Sequence, residues 1–251
     1  MKIHPINFIL IGCIIVLVYI LLQRITILEG FTPTILDMYV VSLRHADRLK
    51  NIEKQEYKIG RPITIVDGVK GDFINIPLLV SFGLVYSDYL DPTQTWRQKR
   101  EIGCFLGHLY AIEKIKARFG YTIVFEDDFN ITDDKFYENV LSILEALELK
   151  KIDFDLLFLG TSSNNKGTVV LDPVYTFNKN QTLAGTYGYV VKNKNVPKTL
   201  GGIRMMYLAI DEQYEDLGKR GKLSILVVDP PLVHHQGDTL PSTIENREIE
   251  T

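Results

Sequence analysis

The chain has 251 residues and a formal net charge of −3 at pH 7. This length suits one domain with a full hydrophobic core and an N-terminal appendage. Its lysine and arginine residues form no basic block, so the charge pattern predicts no nucleic-acid surface.

The first predicted element is an apolar segment at residues 6–22. It carries no charged side chain and has about the minimum length that spans a bilayer. A core helix would show a polar face, and this segment has none. A cleaved signal peptide would have small residues at a cleavage site near Leu22, and these are also missing. We therefore expect a permanent membrane anchor and linker at residues 1–33, followed by one folded domain at residues 34–251.

The orientation of this anchor is less defined than its existence. Lys2 and Arg24 flank the segment almost evenly, so the positive-inside rule gives no clear direction. Sequons at Asn130 and Asn180 are compatible with a lumenal domain. We expect a single-pass type II protein of an ER/Golgi-like or virus-associated host endomembrane, and the cytoplasmic orientation stays open.

Strand and helix patterns alternate through the folded domain. The predicted elements are a strand at 37–43, a helix at 46–57, a strand at 63–66, a helix at 99–118, a strand from 121, a helix at 133–149 and a strand at 155–160. Short strands follow at 168–171, 174–177, 186–191 and 223–228, with a helix near 207–217. This order predicts an α/β fold whose later strands extend it into a mixed sheet.

The strand that starts at Tyr121 leads directly into three carboxylates, Glu126, Asp127 and Asp128. Open α/β folds bind ligands at the carboxyl ends of their strands. Carboxylate oxygens are ligands that Mg²⁺ and Mn²⁺ prefer. A solvated acidic turn before the next helix is the alternative, but the flanking strand favours a metal site.

The stretch from Glu101 to His108 lies near the start of the predicted long helix. Free amides at a helix start could bind a phosphate there. Alternatively, Gly103 and Gly107 could simply let the helix pack closely against another backbone, and spacing alone favours that reading.

Three later stretches could also contribute to a site. Asp211 could be a general base or a helix cap. The glycine-punctuated strand around Gly185 and Gly188 could mark close approach of a ligand or be a bulged core strand. Of the two adjacent histidines at 234 and 235, at most one could complete a metal site, and both could be surface residues.

In this order, these stretches resemble glycosyltransferase family 25, the lipopolysaccharide-biosynthesis and procollagen galactosyltransferase group. The resemblance rests on residues 39–43 with Arg44, Asp47 and Arg48, on 66–68, 100–108, 124–128 and 185–191, and it continues through 210–211 and 231–233. One departure is Gly107, where the family usually has serine before the histidine.

The resemblance implies a GT-A-like fold with a Rossmann-like nucleotide-binding half and a mixed sheet. It also implies metal-dependent, inverting transfer of a hexose, galactose or glucose, from a UDP-sugar to a hydroxyl of a glycan or glycoprotein. Mn²⁺ or Mg²⁺ would be held by Glu126, Asp128 and His235, and Asp211 would be the catalytic base. The residues implied to lie toward the nucleotide are Arg48, Asp67, Glu101, Gly103, His108 and Asp127.

Two other functions stay open. The domain could be a catalytically inactive, membrane-tethered glycan-binding or scaffold module on the same fold. It could also be a metal-dependent phosphotransferase or hydrolase that uses the acidic cluster, but the chain has no G-x-x-x-x-G-K-[ST] phosphate loop.

Overall fold

The computed structural model describes residues 36–117, 119–161 and 166–236. These residues belong to one compact unit that begins at Leu36. The predicted membrane segment and linker lie outside the described residues, so the structure does not test them. Among the residues that are described, no helix combines the length and apolar character needed to cross a membrane.

The described elements follow the predicted alternation of strands and helices. The strands are β1 (Leu36–Ser42), β2 (Thr64–Asp67), β3 (Tyr121–Glu126), β4 (Phe129–Ile131), β5 (Leu156–Gly160), β6 (Lys166–Leu171), β7 (Val174–Phe177), β8 (Gly188–Lys192), β9 (Ile225–Val228) and β10 (Val233–His235). The α-helices are α1 (Ala46–Ile59), α2 (Ile76–Ser81), α3 (Thr95–Lys114), α4 (Phe136–Leu149), α5 (Val196–Ile203) and α6 (Ile210–Lys219).

Eight strands form one mixed sheet in the order β2-β1-β3-β8-β5-β9-β7-β6. Strand β1 pairs in parallel with β2 and β3, whereas β8 runs antiparallel between β3 and β5. The carboxyl ends of β1, β2 and β3 therefore share one edge with the amino end of β8. The predicted mixed α/β fold is confirmed, and β4 and β10 add a small antiparallel pair beside that edge.

Both faces of the sheet are buried. Along β3, Val124 belongs to one hydrophobic cluster with residues of α3, α5 and α6, while Ile123 and Phe125 belong to a second cluster with residues of α1 and α4. This double burial explains why β3 has a continuous apolar sequence rather than an alternating one.

Helix α3 begins at Thr95 rather than at Lys99, because the 3-10 turn Pro92–Gln94 leads directly into it. Glu101 and Gly103 consequently lie inside the helix, where backbone amides bond to carbonyls one turn earlier. The hypothesis that free amides at this position bind a phosphate is therefore wrong.

The glycines of α3 instead permit close packing. A Cβ atom at Gly103 would lie 2.3 Å from the Val69 carbonyl oxygen, and one at Gly107 would lie 2.5 Å from Val41 Cγ1. The packing alternative is thus confirmed. It also explains why position 107 is a glycine in this chain, because a serine side chain there would displace Val41.

Candidate active site

A cleft opens at the edge where β1, β2 and β3 end. Its walls are the end of β1, the loop after β2, one face of α3 and the acidic turn after β3, and its polar lining includes Ser42, His45, Arg100, Cys104, His108, Glu126, Asp127 and Asp128. The parallel arrangement of β1, β2 and β3 therefore gathers side chains that are far apart in sequence, as their positions at strand ends predict.

Asp128 is the most constrained carboxylate of this turn. Its side chain is largely buried, and Oδ2 lies 3.0 Å from Arg48 Nη1 and 3.3 Å from His235 Nε2. Burial alone would raise the pKa of Asp128, but the hydrogen bond from His235 and the charge of Arg48 outweigh it and lower the pKa. The hydrogen bond to Asp128 raises the pKa of His235 against the effect of burial.

The second oxygen of Asp128 has a different environment. Oδ1 is buried and has no hydrogen-bond partner among the described residues. An unsatisfied buried carboxylate oxygen costs about 1–3 kcal/mol or more, so it calls for a ligand. Asp128 therefore fits a divalent cation, since one oxygen is fixed by Arg48 and His235 and the other is available.

Asp127 faces β1 and α1. The Ser42 hydroxyl donates to Asp127 Oδ2 over 2.7 Å, and Arg48 Nη1 lies 3.5 Å from Oδ1. Burial raises the pKa of Asp127 to about 6, although the Ser42 hydrogen bond and the Arg48 charge oppose this. Arg48, predicted to face the nucleotide, is itself buried and paired with both aspartates.

A buried polar face of α1 holds the acidic turn in place. Asn51 Nδ2 donates to the carbonyl oxygens of Asp127 and Phe129 over 3.0 and 2.9 Å. Gln55 Oε1 accepts from the Ile131 amide over 3.1 Å. Sequence reasoning missed Asn51 and Gln55, although their spacing with Arg48 places polar side chains on the face of α1 that packs inward.

Glu126 contacts different partners. The Thr186 hydroxyl donates to Glu126 Oε1, and His108 Nε2 lies 3.4 Å from the same oxygen. His108 is fully buried, and its Nδ1 lies 3.0 Å from the Tyr189 hydroxyl. The structure thus brings the predicted ligands Asp128 and His235 into contact, while Glu126 is held by Thr186 and His108.

Two of the residues predicted to lie toward the nucleotide have structural partners. Asp67 ends β2 and forms an exposed ion pair with Arg44. Glu101 accepts a hydrogen bond from the Tyr89 hydroxyl and forms an ion pair with Arg97 over 2.8 Å.

Asp211 is the second residue of α6, whose N-cap is Ala209, so the cap hypothesis for Asp211 is wrong. Its Oδ2 accepts the Gly185 amide over 3.1 Å, and its Oδ1 accepts the Glu212 amide over 2.9 Å. Gly185 has a φ of +84°, a conformation that favours glycine. Burial and then the charges of Asp211 and Glu101 raise the pKa of Glu212.

Known proteins are similar to this chain over the region that contains these motifs. Residues 35–214 match the model of the family described as glycosyltransferase family 25 (LPS biosynthesis protein). The chain is 30% identical over 128 residues to a Xenopus laevis protein named procollagen galactosyltransferase 1-A, covering 49% of this chain and 21% of that one. It is 29% identical over 133 residues to the Homo sapiens inactive glycosyltransferase 25 family member 3, covering 51% and 22%.

The chain therefore spans only about a fifth of the length of these curated relatives. Among solved structures, apo-UDP-glucose pyrophosphorylase aligns with a TM-score of 0.41 and 8% identity, covering 77% of this chain and 90% of that one.

Proposed function

The chain belongs to glycosyltransferase family 25, and we propose that it transfers a hexose from a UDP-sugar to a hydroxyl of a glycan or glycoprotein. The proposal includes a GT-A-like domain, dependence on Mn²⁺ or Mg²⁺, and inversion at the anomeric carbon. The observation that carries it is the buried Asp128 carboxylate at the carboxyl edge of the sheet, with one oxygen fixed and the other unsatisfied.

The charges of the acidic turn support a cation there. Arg48 pairs with Asp127 and Asp128, and its single positive charge is smaller than the three negative charges that Glu126, Asp127 and Asp128 carry when ionised. Asp128 would ligate through Oδ1, while His235 and Arg48 orient its other oxygen. When bound, a divalent cation would neutralise the diphosphate leaving group.

A separate carboxylate would take the proton from the acceptor hydroxyl. Asp211 is our first candidate, because its Oδ2 accepts a hydrogen bond from the Gly185 amide, and the next residue, Thr186, donates to Glu126 of the acidic turn. Glu212 is the second candidate, since a raised carboxylate pKa suits a general base.

The names of several relatives favour one alternative function. Family member 3 is named inactive in Homo sapiens and in Mus musculus. A module that binds UDP-sugar or glycan without transferring the sugar is therefore the second candidate.

Thermal unfolding of the full-length protein with a panel of UDP-sugars, with and without Mn²⁺, tests the proposal. A sugar nucleotide at a hundred times its dissociation constant should add about 2.7 kcal/mol to the native state. Metal-dependent stabilisation together with a new glycosidic product supports the transferase. Stabilisation without product on an acceptor panel supports the inactive module, and no stabilisation by any UDP-sugar contradicts both.

We also propose that residues 6–22 anchor the protein in a membrane with residues 34–251 in the lumen. The apolar run carries this proposal. Release of the full-length protein from membranes by alkaline carbonate would contradict it.

A further inference from the structure

Three metal-binding side chains that the proposed function does not use together converge on one wall of the cleft. Cys104 Sγ, a ring nitrogen of His108 and a carboxylate oxygen of Glu126 all lie within 4.8 Å of one another. Cys104 and His108 are one turn apart on α3 and so share a face, and Glu126 ends the adjacent strand β3.

The spacing of these atoms suits a small tetrahedral ion. His108 Nε2 and Glu126 Oε1 are 3.4 Å apart. Zinc-to-nitrogen and zinc-to-oxygen bonds of about 2.0–2.2 Å place two ligands of a tetrahedron about 3.4 Å apart. Cys104 Sγ lies within 4.8 Å of both ligand atoms, and a zinc-to-sulfur bond of about 2.3 Å would draw these three atoms together.

The residues behind these ligands resemble the support of a metal site. His108 Nδ1 lies 3.0 Å from the buried Tyr189 hydroxyl, which lies 3.4 Å from that of Tyr214. With Nδ1 donating to Tyr189, Nε2 keeps its lone pair for a metal, and Thr186 fixes the Glu126 carboxylate by donating to Oε1. Ligating histidines nearly always have such a partner on their second nitrogen.

The surroundings favour a cation that prefers sulfur. Glu126, Asp127 and Asp128 line the same cleft as Cys104, so a cation bound there would lie near their negative charges. A bound cation would replace the thiol proton and offset these negative charges. Thiolate and imidazole ligands select Zn²⁺ or Co²⁺ over Mg²⁺ and Mn²⁺.

We propose that Cys104, His108 and Glu126 form a binding site for Zn²⁺ or another thiophilic divalent cation, with the fourth coordination position open to the cleft. Three protein ligands and one open position are the arrangement of zinc ions that bind an exchangeable water or substrate group. This site is separate from the Asp128–His235 pair, and it does not rest on the proposed transferase activity.

Cobalt titration of the full-length Cys13→Ser protein tests the proposal, because Cys104 is then its only cysteine. We expect one equivalent of Co²⁺ to produce a near-ultraviolet thiolate-to-cobalt absorption band that Zn²⁺ removes. Adding Cys104→Ser should abolish the band. Absence of the band before that change, or its persistence afterwards, would overturn the proposal.

Two further variants separate this site from its neighbours. Tyr189→Phe removes the partner of His108 Nδ1, and we expect a 10- to 100-fold loss of Co²⁺ affinity. Asp128→Asn should leave the cobalt band intact, so failure of this site and failure of the proposed function give different results. Loss of the band in Asp128→Asn, with an unchanged circular dichroism melt, would place the cobalt elsewhere and contradict the assignment.

Discussion

At the scale of single residues, the two oxygens of Asp128 define the candidate site. A carboxylate that is buried, paired through one oxygen with Arg48 and His235, and unsatisfied at the other is costly without a ligand. None of these three properties could be read from the sequence, which shows only that three acids follow a strand. The sequence predicted which acids form the site, but it did not predict which partners each carboxylate contacts.

Asp128→Asn and Asp211→Asn should have different effects. Asp128→Asn should abolish transfer and metal-dependent UDP-sugar binding, because it removes the negative charge at the proposed cation position. Asp211→Asn should keep donor and metal binding but lower turnover by a factor of about 10²–10⁴, because it removes a proton acceptor. Donor binding is measured by calorimetry with Mn²⁺ and turnover by product formation.

A matched control for these variants is Asp88→Asn, which changes an exposed acid outside the residues that line the cleft. It should alter neither donor binding nor turnover.

Near-normal transfer by Asp211→Asn would shift the base assignment to Glu212, for which Glu212→Gln is the test. Unchanged metal-dependent binding in Asp128→Asn would contradict the metal assignment.

The buried Lys192 should make the free energy of unfolding fall as the pH becomes acidic. Lys192 Nζ lies 3.0 Å from Glu148 and 3.1 Å from Asp153. Burial would raise the pKa of both acids, but hydrogen bonds from Tyr121 and Lys192 to Glu148, and from Lys192 and Lys194 to Asp153, lower it. Their stabilisation is present above the unfolded pKa values, about 4.3 and 3.9, and is lost as pH falls through the lower folded values.

We therefore expect Lys192→Met to flatten the fall in melting temperature between about pH 6 and pH 3, because both acids lose the partner that lowers their pKa. Lys219→Met, which removes an exposed i,i+4 pair with Glu215, should leave that slope nearly unchanged. Parallel melting curves for the wild type and Lys192→Met would show that Lys192 does not couple to these carboxylates.

At the scale of elements, local patterns predicted the long helices and the buried strands. Helix α1 was expected at 46–57 and is found at Ala46–Ile59, and β7 was expected at the residues it occupies, Val174–Phe177. The three-residue strands β4 and β10 carry too few residues for a periodic signal, and α5 was not predicted. The place of β8 between β3 and β5 depends on contacts between distant residues, which periodicity does not report.

The close approach of α3 to the loop after β2 yields a prediction about stability. Gly103→Ala should destabilise the protein by about 1–3 kcal/mol, because its Cβ would collide with the Val69 carbonyl oxygen. Gly201→Ala in α5 is the matched control, since no atom outside the adjacent residues and the backbone of its own helix lies within 4 Å of its Cβ position, and it should stabilise by about 0.5–1 kcal/mol. Urea unfolding midpoints measure both changes. Equal effects of the two substitutions would mean that α3 does not pack this closely.

At the scale of the whole molecule, the motifs meet because the sheet places several strand ends at one edge. Their order along the chain was enough to identify the family, which the match over residues 35–214 confirms. The side-chain contacts depend on packing between α1, α3 and the acidic turn, so Arg48 was predicted beside the nucleotide but is found in ion pairs with Asp127 and Asp128. The acceptor depends on surfaces that single motifs do not specify.

The two sequons provide a test of the proposed lumenal orientation. Asn180 is exposed in a turn where its amide donates to Asn178 Oδ1, so an attached glycan would extend into solvent. Asn130 is partly buried within β4, where Gln55 Nε2 donates to its side-chain oxygen and His234 lies opposite on β10. A glycan on Asn130 would have to displace these contacts beside the acidic turn.

In a eukaryotic host we therefore expect a glycan on Asn180 and none on Asn130. Mass spectrometry of peptides before and after enzymatic deglycosylation measures the occupancy of each site. Asn180→Gln should remove the mass difference of the intact protein, whereas Asn130→Gln should not change it. An unmodified Asn180 would contradict the lumenal orientation. A glycan on Asn130 of active enzyme would instead contradict the position of the acidic turn, because the glycan would stand where the donor is proposed to bind.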